Sequence, residues 1–412
     1  MVVKPDEPGA IDAAIAVLKD IFRPASPTIE RKLFKGRDRE LTQLLSAIQE
    51  VGMHAVVYGE RGVGKTSLAY MGRGAFAIVN PIALTVRLAC SAEDDFQSVW
   101  KRLPSHVRQE LDLAEESTRE ALKDVVERVE DLVVYDDGTP DTVTRALHLL
   151  GSKLPLLVII DEFDRIDDPD VTLLFADLIK TMADNPVACT VVLVGVADDV
   201  DELVESHGSI DRSMRQVQMP RMTPGELSEV VVDGVSEFGY RTGIKLSLDP
   251  EVVSAIANMS QGFPYYTHLL AGAIVERAVR EGLTQVTSRM VIEALLEALD
   301  TAAQSIRSAY ADAVSSNQTA QFEDTLLGCA MARVDVAGFF RASDVVDPLQ
   351  QVSGRKKQAS HFDHHLKRFC ERGILDVRGT TRYRYRFSDP LMRPFVLMTG
   401  IRTGRLQLPT SD

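Results

Sequence analysis

Residues 59–67 read GERGVGKTS, which places two glycines, a lysine and a hydroxyl in the spacing Gly-x-x-x-x-Gly-Lys-[Ser/Thr]. Each residue type in that spacing has a physical task. Gly59 and Gly64 carry no Cβ, so the backbone N–H groups of Arg61, Gly62, Val63 and their neighbours can curl around phosphate oxygens. A helix beginning just after the turn presents its positive N-terminal end to the same anions. Lys65 is placed to reach the β- and γ-phosphates, Thr66 to ligate Mg²⁺ through its hydroxyl, and Ser67 to close the cradle. The chemistry implied is binding of a nucleoside triphosphate, ATP, with Mg²⁺. An apolar run precedes the turn at 54–58 and a helical pattern follows from 65, which separates it from a Gly-rich turn that binds nothing.

A second constellation, LLVIIDEFD, lies downstream at 156–164. An apolar strand that ends in Asp161 sets a carboxylate beside the phosphate loop, where it holds the metal through its water shell. Glu162, next along, is placed to orient and polarise an attacking water as a general base. Alone, this would be an acidic cap on a strand end. After a phosphate loop, in this order, it completes a hydrolytic site. Asp164 and Arg165 receive no role and read as surface or interface residues.

These groups need a rigid frame. Apolar runs at 83–89, 154–161 and 188–198 join the one at 54–58. Continuous runs of this kind suit central strands of a parallel sheet covered on both faces, and strand–helix alternation is an α/β signature. Residues 1–30 read as a short amphipathic helix (11–22) and a Pro-broken linker. Leu41, Leu44, Leu45 and Ile48 follow at helical spacing, and 92–150 is acidic and helical, broken near 136–141. From 222 onward the pattern is helix after helix, opened by a capping box of Thr223 and Glu226 with Pro224 at the first helical position. A polar stretch at 315–321 marks the last boundary. The expected organisation is an N-terminal helix and linker (1–30), an α/β P-loop core (31–220), a helical lid (221–305), a winged helix (318–400) and a tail (401–412).

A chain of 412 residues exceeds one hydrophobic core. Its 45% hydrophobic and 26% charged residues are those of a soluble globular protein, and no apolar run approaches the 18 residues of a membrane span. The acidic, Pro-bearing N-terminus is unlike a signal peptide. Cys90, Cys189, Cys329 and Cys370 lie far apart, which argues against zinc and disulfide frameworks and suits a reducing cytoplasm. The net charge of −14 is uneven: from 351 onward 13 Lys/Arg face 5 Asp/Glu, a local +8, leaving −22 on the rest. A basic module on an acidic body points to an anionic partner.

With FKGRDREL at 34–41 upstream of both motifs, the chain resembles the AAA+/STAND superfamily, and within it bacterial ATPases related to the origin-recognition initiators. The resemblance implies an adenine pocket at Phe34, Gly36 and Arg37; plain helix-to-sheet packing is the other reading of Phe34 and Leu41. It implies a sensor-1 position at Asp198, where Asn, Ser or Thr is more usual. It implies an arginine finger within 207–222, at Arg212 or Arg215, against the alternative of solvated surface arginines. GFPYYTHLL at 262–270 resembles the STAND lid signature, in which Pro264 stands in place of a sensor-2 arginine. Slow hydrolysis and switching follow from that exchange; a proline that only starts a helix is the plainer reading.

The final module looks like a winged helix, with helices at 322–332 and 343–351 (N-capped by Ser343), a recognition helix at 359–372 and a Gly-turned hairpin at 374–389. Arg382, Arg384 and Arg386 alternate with Tyr383, Tyr385 and Phe387, so arginines and aromatics fall on opposite faces of the wing. With Lys367 and Arg368 they suit phosphate contacts to double-stranded DNA. His361, His364 and His365 read as helix-surface residues, lacking ligands at metal spacing. Docking onto a protein or onto the chain's own core is the rival role for the module. Two functions are open: a nucleotide-gated switch acting on a protein partner or on self-assembly, of signalling or defence type, and an initiator-like or transposition-regulator-like DNA-binding ATPase.

Overall fold

The computed structural model describes residues 9–24, 26–27, 30–136, 138–186, 188–197, 200, 203, 212–287, 304–315, 319–335, 338–354, 358–379 and 383–407. The chain forms two compact units. One comprises 27–60 and 64–220; the other comprises 1–26, 61–63 and 221–412.

The first unit is a five-stranded parallel sheet with helices on both faces. In chain order it runs α2 (Asp38–Gln49), β1 (His54–Gly59), α3 (Lys65–Val79), β2 (Leu84–Ala89), α4 (Phe96–Lys101), α5 (Leu103–Asp112), α6 (Glu116–Glu130), α7 (Pro140–Gly151), β3 (Leu156–Asp161), α8 (Pro169–Asp184), β4 (Cys189–Val196) and β5 (Met214–Gln218). The strand order is β2-β3-β4-β1-β5, every neighbour parallel. β3 is buried at all six positions, as its continuous apolar run predicts. Leu156, Val158 and Ile160 enter one core cluster with Leu84, Val86 and Leu88 of β2 and with Phe96, Trp100 and Phe175. Phe175 meets Phe96 and Phe163 edge-on, both with centroids 4.9 Å apart. Gly72 lets α3 approach α2, since a Cβ there would stand 2.8 Å from Leu44.

The second unit carries α1 (Ala10–Ile21), α9 (Pro224–Thr242), α10 (Pro250–Met259) and α11 (Pro264–Arg280), with α1 packed on α9 and α11. Phe22, just after α1, fills the space over Gly234, where a Cβ would lie 2.5 Å from its ring. The expected capping box opens α9: Thr223 accepts from the Glu226 N–H, and Glu226 accepts from the Thr223 N–H.

The same unit ends in helix Thr319–Met331, an isolated bridge from Phe340 to Tyr385, helices Ala342–Ser353 and Asp363–Glu371, an antiparallel hairpin of Leu375–Arg378 and Arg384–Phe387, and helix Met392–Arg402. These are, in chain order, a helix, a bridge, two helices and an antiparallel hairpin. Three expectations change here. Ser343 is not the N-cap: Arg341 takes that place, and Asp344 reaches back to its N–H at 2.7 Å, which starts the helix one residue earlier. His365 is not on the helix surface but buried, its Nδ1 2.7 Å from the Thr325 hydroxyl and its ring on Phe322. The recognition segment also divides, into a 3-10 turn at Ala359–His361 and the helix from Asp363.

Candidate active site

In an open parallel sheet, ligands bind beyond the carboxyl ends of the strands. Both sequence constellations are there. β1 runs into the glycine loop, β3 ends on Asp161, and β4 lies between them. Gly59 has φ +147, and a Cβ on it would stand 2.4 Å from the Met219 carbonyl oxygen. Gly64 has φ +100 and is the N-cap of α3, so the loop turns through conformations that L side chains rarely adopt.

Lys65 is buried, and its Nζ donates to the carbonyls of Gly59 at 3.0 Å and Glu60 at 2.8 Å. The ammonium is thus held under the loop it serves. Thr66 donates its hydroxyl to Asp161 Oδ1 at 3.4 Å, which brings the two motifs together across 95 residues. A hydroxyl and a carboxylate are hard oxygen donors, the set Mg²⁺ takes when phosphates and waters supply the rest. The residues therefore fit the metal, and Thr66 and Asp161 would hold it. Bound there, it would neutralise charge on the phosphoryl oxygens.

Asp161 is 2% exposed, whereas the side chain of Glu162, directly after it, is 54% exposed. Glu162 has φ +55, a left-handed conformation unusual for a non-glycine and of the kind that gathers at functional sites. The chain then makes a 3-10 turn, Phe163–Arg165, anchored by Phe163 in the aromatic cluster. Burying such a ring contributes about 2–3 kcal/mol, and here it fixes the backbone that carries Glu162.

Three nearby residues were not assigned from sequence. Arg87 of β2 donates to Asp161 Oδ2 from Nη2 at 2.6 Å and from Nε at 3.1 Å. Arg165 pairs with Glu162 at 3.4 Å. Asp164 accepts the Val196 N–H at 2.7 Å and so ties the 3-10 turn to the end of β4. The signal for Arg87 was a lone cation inside an apolar strand; for Asp164 and Arg165 nothing local distinguished them from surface charge.

The other expected site residues are placed as follows. Phe34 is buried, and Gly36 has φ +68. Arg37 is 3% exposed, donates to the Pro220 carbonyl at 2.6 Å and lies 3.6 Å from Glu40, so its guanidinium joins the start of α2 to the chain beyond β5. Arg212 is exposed, and Arg215 is exposed on β5, a strand that pairs with β1. Arg61, Gly62 and Val63 fall in the second unit, as does Pro264, which occupies the first position of α11. Ser67 is the third residue of α3. Asp198 and Arg382 lie outside the described residues.

On the C-terminal module, Arg378, Arg384 and Arg386 stand 5.1, 5.3 and 4.9 Å from the Phe339 ring centroid. Arg384 also pairs with Asp335 at 3.3 Å and Arg386 with Asp376 at 3.4 Å. Arg368 lies over Phe322 at 4.4 Å and donates to the Ser315 carbonyl. Lys367 is exposed, 3.9 Å from Glu371. Cys90, Cys189 and Cys329 are buried, and desolvation pushes the Cys90 thiol up to about 12. Among the described residues no His/Cys/Asp/Glu group suits a metal of its own, and no helix is long and apolar enough to cross a membrane.

Residues 33–192 match the AAA ATPase domain family. No curated protein sequence matches the chain. Among solved structures, the chain is similar to a Walker-type ATPase of Pyrococcus abyssi, at 14% identity over 90% of this chain and 98% of that one, with a TM-score of 0.51. It is also similar to the Orc1 protein of Aeropyrum pernix solved in complex with DNA (16% identity, 95% and 97% covered, TM-score 0.48). A third is Cdc6p of Pyrobaculum aerophilum (15% identity, 94% and 99% covered, TM-score 0.45). The Pyrococcus likeness is one of fold across nearly the whole chain.

Proposed function

We propose that the chain is an ATP-binding and ATP-hydrolysing AAA+/STAND-type ATPase, acting as a nucleotide-gated switch on a protein partner or on its own assembly. The observation that carries this reading is the convergence of Lys65, Thr66 and Asp161, with Glu162 displayed just beyond. Lys65 binds the β- and γ-phosphates, Thr66 and Asp161 hold Mg²⁺, and Glu162 polarises the attacking water. Phe34, Gly36 and Arg37 line the adenine side, and Arg212 or Arg215 serves as the finger in a neighbouring copy. Asp198 and Pro264 read the nucleotide, and the absence of an arginine at 264 favours slow turnover. The protein works in the cytoplasm.

The switch aspect is supported by the join between lid and C-terminal module. The Tyr266 hydroxyl, two residues after Pro264, donates to the Leu391 carbonyl at 2.7 Å in a buried setting. Lid and winged helix fall in one compact body, with which residues 61–63 of the phosphate loop cluster. A nucleotide can bias that body only through contacts that differ between two states.

The second reading, a DNA-binding ATPase of initiator or transposition-regulator type, is favoured by the +8 charge from 351 onward and the exposed Lys367. Salt dependence of duplex binding by the full chain separates the two.

The deciding experiment compares Lys65→Ala and Glu162→Gln in fluorescent-ATP binding and steady-state hydrolysis. K65A loses binding; E162Q keeps it, with turnover down roughly 10²–10⁴-fold. Unchanged turnover in E162Q would remove Glu162 as the base, and hydrolysis by K65A would remove the site.

A further inference from the structure

Arg87 has no part in that reading, yet it makes the shortest contact to the carboxylate at the centre of the site. Its position follows from strand alternation. Leu84, Val86 and Leu88 of β2 enter the core, which turns Arg87 to the opposite face. On β3, Leu156, Val158 and Ile160 enter the same core, which turns Asp161 to the face Arg87 occupies. The register sets Arg87 beside Ile159, so Asp161 is its diagonal neighbour two residues on, within reach of a long side chain.

A carboxylate offers about four lone-pair sites. At Asp161 all four are used. Oδ1 accepts from the Thr66 hydroxyl and the Glu162 N–H; Oδ2 accepts from Arg87 Nε and Nη2. A divalent cation bound through this carboxylate meets a guanidinium that cannot give up its proton. The backbone N–H of Glu162 is fixed, whereas the Arg87 side chain is 35% exposed and lies 5.7 Å from the Tyr70 ring, so it has room to leave.

We propose that Arg87 is a placeholder for the metal. It neutralises the buried Asp161 in the nucleotide-free protein and competes with the divalent cation's bound water for Oδ2. The triphosphate supplies oxygens to which the released guanidinium can bond, so metal and nucleotide bind together and the cation binds weakly alone. Arg87 is a positioning residue in this scheme, and the scheme rests on the ATPase reading above.

The test uses Mn²⁺ as the probe, with free Mn²⁺ read by electron paramagnetic resonance in nucleotide-free, full-length protein. Relative to wild type, Arg87→Gln tightens Mn²⁺ binding about tenfold, and Arg87→Lys, with a single ammonium in place of the fork, about threefold. The gain disappears in R87Q combined with Asp161→Asn. Arg73→Gln, which frees Glu110 instead, serves as the charge control. A flat series, a gain that survives D161N, or an equal gain in R73Q overturns the proposal. Should R87Q not fold, the R87K shift decides alone. Failure of wild type to bind ATP would sink the ATPase reading and leave the Mn²⁺ series readable; a flat series in a protein that binds ATP removes the placeholder only.

Discussion

Asp164 accepts a hydrogen bond from the Val196 N–H at 2.7 Å, joining the turn that carries Glu162 to the end of the neighbouring strand β4. The join is tight: a Cβ on Gly195 would stand 3.2 Å from Asp164 Oδ1 and 2.7 Å from Leu203. Glu162 sits in a left-handed conformation and Phe163 is locked in the aromatic cluster, so Asp164 completes a three-point hold on the proposed base. Misplacing a catalytic group by about 1 Å can cost roughly a hundredfold. Asp164→Ala should therefore lower kcat about ten- to a hundredfold while ATP affinity stays within about twofold. Steady-state kinetics beside fluorescent-ATP binding checks this; a wild-type kcat would show that the tether is not felt at Glu162.

The two loop glycines should respond differently to a methyl group. At Gly59 the added Cβ meets the Met219 carbonyl oxygen at 2.4 Å, a backbone atom that cannot turn aside. At Gly64 the nearest atom is the Met219 terminal methyl at 4.0 Å, so only the backbone conformation at φ +100 resists. Gly59→Ala should lose about 1–3 kcal/mol from overpacking in addition to backbone strain. Gly64→Ala should be the more stable of the two, and both should lose ATP binding because the N–H cradle shifts. Urea unfolding of the pair reads the order, and a G64A protein less stable than G59A would contradict it.

The legible parts of this molecule were those whose signal is both local and repeated. The apolar runs of β1, β3 and β4 are long enough to mark buried strands, and the glycine spacing marks the loop between β1 and α3. β5 was missed because MRQVQ is a sheet-edge strand: Met214 and Val217 are buried while Arg215, Gln216 and Gln218 face solvent, so it carries no apolar run. Arg87 was missed because its meaning depends on a register with β3, whose Asp161 lies 74 residues away. His365 was read as surface because histidine is polar; Thr325, 40 residues earlier, supplies the partner that lets it be buried. The pairing of Arg165 with Glu162 likewise became visible only once the 3-10 turn set their spacing.

Two buried histidines give the stability a pH dependence of known sign. His54 accepts the Val191 N–H on Nδ1 at 3.0 Å, and burial lowers its pKa to about 4. Burial does the same to His268, also to about 4. Both are neutral in the fold and take up a proton near 6.5 once unfolded. The unfolded chain therefore binds more protons between about pH 6.5 and 4, and stability falls as the pH drops through that window. The upper limit is on the order of 3 kcal/mol for each histidine. His54→Asn keeps an acceptor near the Nδ1 position and removes the titration, so its stability should fall less steeply between pH 6.5 and 4. Denaturant midpoints measured across that range test it; a slope equal to wild type would mean that His54 does not stay neutral in the fold.

Arg384 and Arg386 decide between the two readings of the C-terminal module. The alternation that turns them to one face of the wing also sets them against Phe339, at 5.3 and 4.9 Å, with Asp335 and Asp376 as carboxylate partners. Guanidinium groups held in this way stabilise the module, at about 0.5–1 kcal/mol for each exposed ring contact. If their work is structural, as the switch reading requires, Arg384→Gln with Arg386→Gln should cost about 1–2 kcal/mol of stability, and the full chain should show no salt-steep duplex binding before or after the change. If the module grips DNA, wild type should bind duplex with an affinity that falls steeply with salt. The double variant should then lose nearly two from the slope of log Kobs against log salt, and Lys367→Ala about one. Equilibrium binding to a labelled duplex at several salt concentrations reads the slope, beside thermal melting of the same proteins. Stability loss without a change in slope assigns the arginines to the fold of the wing.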